Sequence, residues 1–294
     1  MRLSLGMRRT LVAVGVGSLM FGATIVAGAS TTSGAYNAAD AKLVPSAYKN
    51  STIQVATDAT YPPDESMSGT TMVGFDVDLM GAIAKTLGVK YKENNVTFDD
   101  IIAGINSGKY VIGNSSFTDE KSREKQVNFV DYFQAGEGVY ALATSKATFK
   151  GLPSFCGETV AVETGTTEQA DATSEAKKCP SSKKETVRAF STQTEANTAV
   201  LSGQATFGFA DSQVAGYIVS LAGGKFKLVG NAIEVAPYGI ATPKSTAGLG
   251  LAKAIQAAVK TLIANGTYHA ILAKYGVTAG ALSTSKIVLN GATS

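Results

Sequence analysis

From Thr52 onward, apolar residues recur in two alternating rhythms. Short apolar or alternating runs such as "TIQVATD", "VKYKE" and "YVIGN" are separated by segments in which apolar side chains return every three or four positions. The first kind predicts strands and the second amphipathic helices; their alternation predicts an α/β fold with largely parallel sheets. "GFDVDLMGAIAKTLG" is the clearest helix. Phe75, Leu79, Ile83 and Leu87 share a face, Asp76 and Asp78 lie where the helix dipole favours carboxylates, and Gly88 is the stop. "TFDDIIAGINSG" predicts a second helix with Thr97 as N-cap, Asp99 and Asp100 in its first turn and Gly108 as stop.

The pattern then restarts. "ETVAVETGTTEQADATSEAKK", "TVRAFSTQTEANTAVLSGQ" and "ATFGFADSQVAGYIVSLAGG" each read as strand, turn and helix. "APYGIAT" adds a strand. Leu251 to Ala264 and Tyr268 to Lys274 then add helices that have no sheet of their own. The second α/β unit is therefore expected to be inserted into the first, with two crossings between lobes. Residues 30–50 are rich in Ser, Thr, Gly and Ala without a strong period, and read as a tether.

A chain of 294 residues is long enough for two lobes, each with its own core. Charge refines the picture. The formal +3 arises entirely from Arg2, Arg8 and Arg9; beyond them, basic residues are matched one for one by the 23 acidic ones. No basic face remains to recruit nucleic acid. Residues 1–29 have the form of a signal peptide: a cationic start, an uncharged stretch of small and apolar residues, and Ala27-Gly28-Ala29 as a cleavage pattern. An uncleaved membrane anchor is the competing reading of the same length. Export makes a Cys156–Cys179 disulfide the expected state of the two cysteines, worth roughly 3 kcal/mol for a loop of this length.

Candidate chemistry gathers at strand ends. In "NSSFTDEKSREKQVNF", Thr118 fits a helix N-cap, but Ser115 and Ser116 precede it at the end of a strand, where ligands gather in open α/β sheets. Arg123 adds a planar fork suited to a carboxylate. In "ETGTTEQ", Gly165 permits a tight turn; the N–H groups of Thr166 and Thr167 either cap a helix or face an anion. Asp211, in "FGFADSQVAG", is either an N-cap or the partner of an ammonium group. Tyr61, before Pro62 and Pro63, reads as an exposed aromatic on a stiff loop, suited to stacking or to loop packing. Phe98 stands opposite as a second wall or as core. There is no G-x-S-x-G elbow, phosphate loop or H-E-x-x-H, and the single histidine, His269, falls on a short surface helix. No catalytic residue, metal site or cofactor is expected.

Together these pieces resemble the extracellular solute-binding proteins of ABC transporters for polar amino acids. "ATDATYPP", "VGFDVDLMGAIAKTLG", "FDDIIAGINSGKY", "SSFTDEKSREKQVNFVDYF", "VAVETGTT", "FGFADS" and "YGIAT" occur in family order, across about residues 51 to 277. The resemblance implies a two-lobed periplasmic-binding-protein fold of type II, with lobe 1 at 51–141 and 239–294, lobe 2 at 142–238, and hinge strands near Val139–Thr144 and Pro237–Thr242. It implies that Arg123 takes an amino acid's α-carboxylate, that Ser115, Ser116 and Thr118 contact its α-amino and α-carboxylate groups, and that Thr167, beside Thr166 in the binding set, reaches the carboxylate from the second lobe. Asp211 would hold the α-ammonium, Tyr61 and Phe98 would flank the side chain, and Asp58 would touch its distal end. The implied partners are a free amino acid, polar or cationic, and an ABC permease; the chain is expected to be exported and monomeric. Two positions depart from the family pattern: Asp64 replaces the usual aromatic after the double proline, and Val111 replaces an Asp after "SGKY". The alternatives are a cyclohexadienyl- or arogenate-type dehydratase on the same fold and a sensory module that docks on a receptor.

Overall fold

A computed structural model describes residues 34–292. The signal-peptide reading and the first residues of the expected tether lie outside the described residues. The rest of that tether is helical: α1 (Ala38–Leu43) and α2 (Ser46–Lys49). Asn37 caps α1, its Oδ1 accepting from Ala39 N at 2.9 Å and Asp40 N at 3.3 Å. Asp40 is anchored in turn by Thr261, whose hydroxyl donates to it at 2.7 Å. Helices this short hold no full apolar repeat, so no period announces them.

The first α/β unit follows. It comprises β1 (Thr52–Thr57), β2 (Thr60–Tyr61), β3 (Glu65–Ser68), β4 (Thr71–Val73), α3 (Phe75–Leu87), β5 (Lys90–Asn95), α4 (Phe98–Asn106), β6 (Ile112–Gly113) and α5 (Lys121–Glu124). The long strand β7 (Val127–Leu142) leads to the second unit, which contains β8 (Thr159–Glu163), α6 (Thr167–Ala176), β9 (Thr186–Phe190), α7 (Gln193–Leu201), β10 (Phe207–Asp211), α8 (Ser212–Leu221) and β11 (Phe226–Leu228). Strand β12 (Ile233–Pro243) returns, and α9 (Thr246–Ala264) and α10 (Thr267–Lys274) follow.

The strands run in the order β5-β1-β6-β12-β7-β10-β8-β9, with β11 also on β7, while β2, β3 and β4 form a small separate sheet. β1 pairs in parallel with β5 and β6, and β8 pairs in parallel with β9 and β10. The antiparallel pair β7–β12 joins the two parallel sets. This is the expected two-lobed α/β architecture of type II. β8 to β11 lie between β7 and β12 in the chain, and β7 pairs with β12 from Val127 to Glu137 and with β10 from Glu137 to Tyr140. β7 is buried at every position except Gln134 and Leu142.

Each lobe has its own apolar centre. Phe75, Leu79, Ile83 and Leu87 face Leu251, Ile255 and Leu262 of α9, which explains why the C-terminal helices need no sheet of their own. The α3 helix ends where expected, at Gly88, with φ +65°. In the second lobe Phe155, Val160, Val162, Phe207 and Phe209 pack together. Cys156 and Cys179 form the expected disulfide, with Cα atoms 5.4 Å apart. It ties the end of α6 to the segment entering β8.

Candidate ligand-binding site

The C-terminal ends of β1, β6, β8 and β10 converge on the seam between the lobes, and the candidate residues arrive with them. Asp58 follows β1. Ser115 and Ser116 follow β6, Glu163 ends β8, and Asp211 ends β10. This is the edge where parallel sheets expose their helix N-termini and loop backbone.

From the first lobe, Asp58 is fully buried. Its Oδ2 accepts from the N–H of Phe98 at 3.0 Å, and its backbone N–H donates to Ser115 Oγ at 2.9 Å. Tyr61 is 3% exposed, which corrects the expectation of an exposed ring: it packs edge-on against Phe98, centroids 6.0 Å apart, and Phe98 stacks on Phe117 at 4.4 Å. The proline-stiffened loop turns the ring inward, where its burial outweighs solvent contact. Ser116 has φ +49°, a left-handed conformation that costs a non-glycine residue roughly 1 kcal/mol or more. Its N–H donates to Asp76 Oδ2 at 3.1 Å, so Asp76 is more than a helix-dipole residue.

Thr118 is not an N-cap. The helix begins later, at Lys121, after Glu120, and Thr118 instead forms a β-bridge to Tyr238. Phe117 and Asp119 bond to the backbone of β12, which keeps this segment extended. Arg123 is the only buried basic side chain among the described residues. Its guanidinium donates to the carbonyls of Thr118 at 3.0 Å and of Gly165, in the other lobe, at 2.9 Å. It lies 5.5 Å from the Phe98 ring centre and 5.6 Å from that of Phe117. Its Nε–H faces Glu120 Oε1 at 3.6 Å, so three of its five N–H donors are directed at protein groups and two remain for an anion. Burial lowers its pKa, opposed by the carboxylates of Glu120, Glu168 and Asp211.

From the second lobe, Gly165 takes φ +84°, the turn expected of it. Thr166 caps α6 through Gln169 N, and Thr167 places its hydroxyl 3.5 Å from that of Thr118 across the seam. Asp211 occupies the N-cap position of α8, yet its side chain makes no cap bond. It accepts instead from the Tyr238 hydroxyl. Burial, and then the charge of Glu168, raise its pKa well above the carboxylate range.

Glu163 is the residue that the sequence motifs left unread. It is fully buried, and its carboxyl group lies against Asp58 and the Tyr61 hydroxyl. Burial, and then the Asp58 carboxylate, push its pKa to about 10. Its signal in "VAVETG" is position alone: a charged side chain closing an apolar strand at the ligand edge. Glu137 on β7 is similar, raised to about 10 by burial and by Glu168, Asp171 and Asp211. The seam is therefore rich in carboxyl groups and short of cations.

Two cavities flank this cluster and Thr167 lines both. One, of about 830 Å³, opens outside Arg123, between Phe98, Phe117 and α6. The other, of about 420 Å³, lies against Thr118, Glu137, Asp171 and Asp211. Asp58 and Glu163 line neither, because the lobes are closed upon them.

Comparison with known proteins agrees with this frame. The family model for bacterial extracellular solute-binding proteins, family 3, matches residues 53–278. An arginine-binding protein, ArgT, of Corynebacterium glutamicum is 32% identical over 231 residues, covering 77% of this chain and 75% of that protein. The solved structure of an ancestral arginine-binding protein bound to arginine matches with a TM-score of 0.71 at 32% identity, over 76% of this chain and 97% of that one. AncCDT-1, an ancestral amino-acid-binding protein described as a precursor of cyclohexadienyl dehydratase, matches with a TM-score of 0.68 at 31% identity, over 76% and 95%. With a family match along most of its length and the two-lobed frame to carry it, the chain belongs to the bacterial extracellular solute-binding proteins, family 3, of amino-acid ABC transport.

Proposed function

We propose that this protein captures a free cationic amino acid, arginine in the first instance, by closing its lobes, and delivers it to an ABC permease outside the cell membrane. The observation that carries this reading is the Asp58–Glu163 pair: two buried carboxyl groups, one from each lobe, beside the Tyr61 and Phe98 rings and with no cation between them. A guanidinium answers all three features. It pairs with carboxylates through forked hydrogen bonds and lies flat on aromatic faces. The names of the relatives support the same ligand.

Around it, Arg123 takes the α-carboxylate with the two donors left to it, assisted by the Thr167 N–H and the Thr118 hydroxyl, while Ser115 and Ser116, whose hydroxyl protons go to Glu65 and Asp64, turn oxygen lone pairs towards the α-ammonium. Thr166 holds the turn beside them. Asp211 takes the α-ammonium. A zwitterion buried without both partners would lose several kcal/mol to desolvation, and this arrangement supplies both. A cyclic dicarboxylate, the substrate a dehydratase of this fold would need, would find Arg123 as its only buried cation and would crowd Asp58, Glu163, Glu137 and Asp211, carboxyl groups that burial already disfavours as anions. A receptor-docking sensor would share the same seat and differ only in its partner.

The test is a thermal-shift panel on ligand-stripped protein with all common amino acids and prephenate. Arginine at a thousandfold over Kd should add about 4 kcal/mol to stability, a shift of several degrees, with lysine or ornithine weaker and acidic residues silent. A shift with prephenate alone, accompanied by its turnover, would overturn the reading in favour of the dehydratase.

A further inference from the structure

Asp64 stands where the family pattern has an aromatic side chain. It is fully buried between β2 and β3, and its Oδ2 gathers two donors from opposite lobes. Ser116 Oγ donates at 2.9 Å from the first lobe, and Gln213 Nε2 donates at 2.7 Å from the first turn of α8 in the second. The same Gln213 nitrogen donates to Tyr238 Oη at 2.6 Å, and the Tyr238 hydroxyl reaches Asp211. A continuous hydrogen-bonded chain therefore runs Ser116, Asp64, Gln213, Tyr238, Asp211. Its ends are two residues assigned to the amino acid's polar head, and it passes over the hinge strand β12.

Stability alone is a poor reason for a carboxyl group at this place. Asp64 lies with the buried carboxyl groups of Glu65 and Asp76, and burial and the Asp76 charge hold its pKa well above the ordinary range. A third buried carboxyl in such a cluster weakens the folded state, and an apolar residue of similar size would serve the core better. Ser116 is also held in a left-handed backbone conformation, so its hydroxyl needs an external partner to fix its direction. The Gln213–Asp64 bond joins α8 of the second lobe to the loop before β3 of the first.

We propose that Asp64 is a positioning residue that joins the two halves of the seat, setting Ser116 and, through Gln213 and Tyr238, Asp211 as one unit when the lobes close. This rests on the amino-acid-binding reading above. Arginine affinity is measured by calorimetry for the wild type, Asp64→Ala, Gln213→Ala, the double variant and Asp64→Asn, with the melting temperature of each ligand-free protein.

Each alanine variant should lose about tenfold or more in affinity, and the double variant should fall within about threefold of the weaker single one, because the second change breaks a chain already broken. Asp64→Asn should recover most of the loss, since its side-chain oxygen still accepts from Gln213. The ligand-free melting temperature of Asp64→Ala should not fall, which a merely structural residue would not allow. Losses that multiply, or an Asp64→Ala affinity within about twofold of wild type, would overturn the proposal alone. Wild-type protein that takes up no arginine would overturn the proposed function, and this inference with it.

Discussion

Glu163 decides what the seat selects. A neutral carboxyl beside Asp58 is tolerable in a dry cleft, whereas two carboxylates without a cation are not. In the ligand-free protein, with a pKa of about 10, Glu163 is protonated at neutral pH. A guanidinium set between it and Asp58 favours the carboxylate, so arginine uptake should expel a proton, and affinity should rise with pH between about 6 and 9. The ligand-free stability should slope the other way. Across the window from the ordinary carboxyl range to about 10 the folded state holds more protons than the unfolded one, so stability falls as pH rises. Binding heats measured in buffers of different ionisation enthalpy report the expelled proton directly. Glu163→Gln should weaken arginine binding by roughly 10- to 100-fold, the worth of a charge-assisted hydrogen bond, while leaving any uncharged ligand nearly unchanged. At this scale the sequence spoke unevenly. Arg123, Ser115, Ser116 and Asp211 were legible because unusual residue types crowd a strand end. Glu163 was not, because a single acidic residue after an apolar strand has no period or partner to mark it, and Asp58 acquires its meaning only across the seam.

Elements were legible where one face was buried against one partner. The four-residue repeat of α3 announced itself because Phe75, Leu79, Ile83 and Leu87 form one apolar stripe against α9, with α1 and α10 covering its flanks. β7 gave a weaker signal for the hinge: it is buried on both faces with Asn128, Asp131 and Glu137 inside it, so no alternation tells which lobe a given stretch pairs with. Thr118 misled for a related reason, since a threonine followed by two acids signals a helix start, and only the backbone of β12 keeps the segment extended. The disulfide acts at this scale too. It spans 23 residues and anchors the end of α6 remote from Thr167, far from the seam. The Cys156→Ser, Cys179→Ser double variant should lose about 3 kcal/mol, lowering the melting temperature by several degrees, while arginine affinity changes by less than about threefold. A collapse of affinity at unchanged stability would show instead that α6 is positioned by the bridge.

For the molecule as a whole, the account reduces to charge. Two lobes meet on a seam whose buried acids outnumber Arg123, and the missing positive charge is assigned to the ligand's guanidinium and α-ammonium. The two-lobed plan could be read from the order of strands and helices, but the sign of the cleft could not, because the charge of the chain beyond residues 1–29 balances to zero and only folding sorts it. Arginine and citrulline have nearly the same shape and differ in one group, a charged guanidinium against a neutral urea. The most direct test is a calorimetric titration of ligand-stripped protein with each at pH 7.5. Arginine should bind at micromolar Kd or better and citrulline at least about 100-fold more weakly, because the urea leaves Asp58 and Glu163 without a cation. Equal affinities, or a preference for citrulline, would contradict the claim that this cleft is built to take a cation.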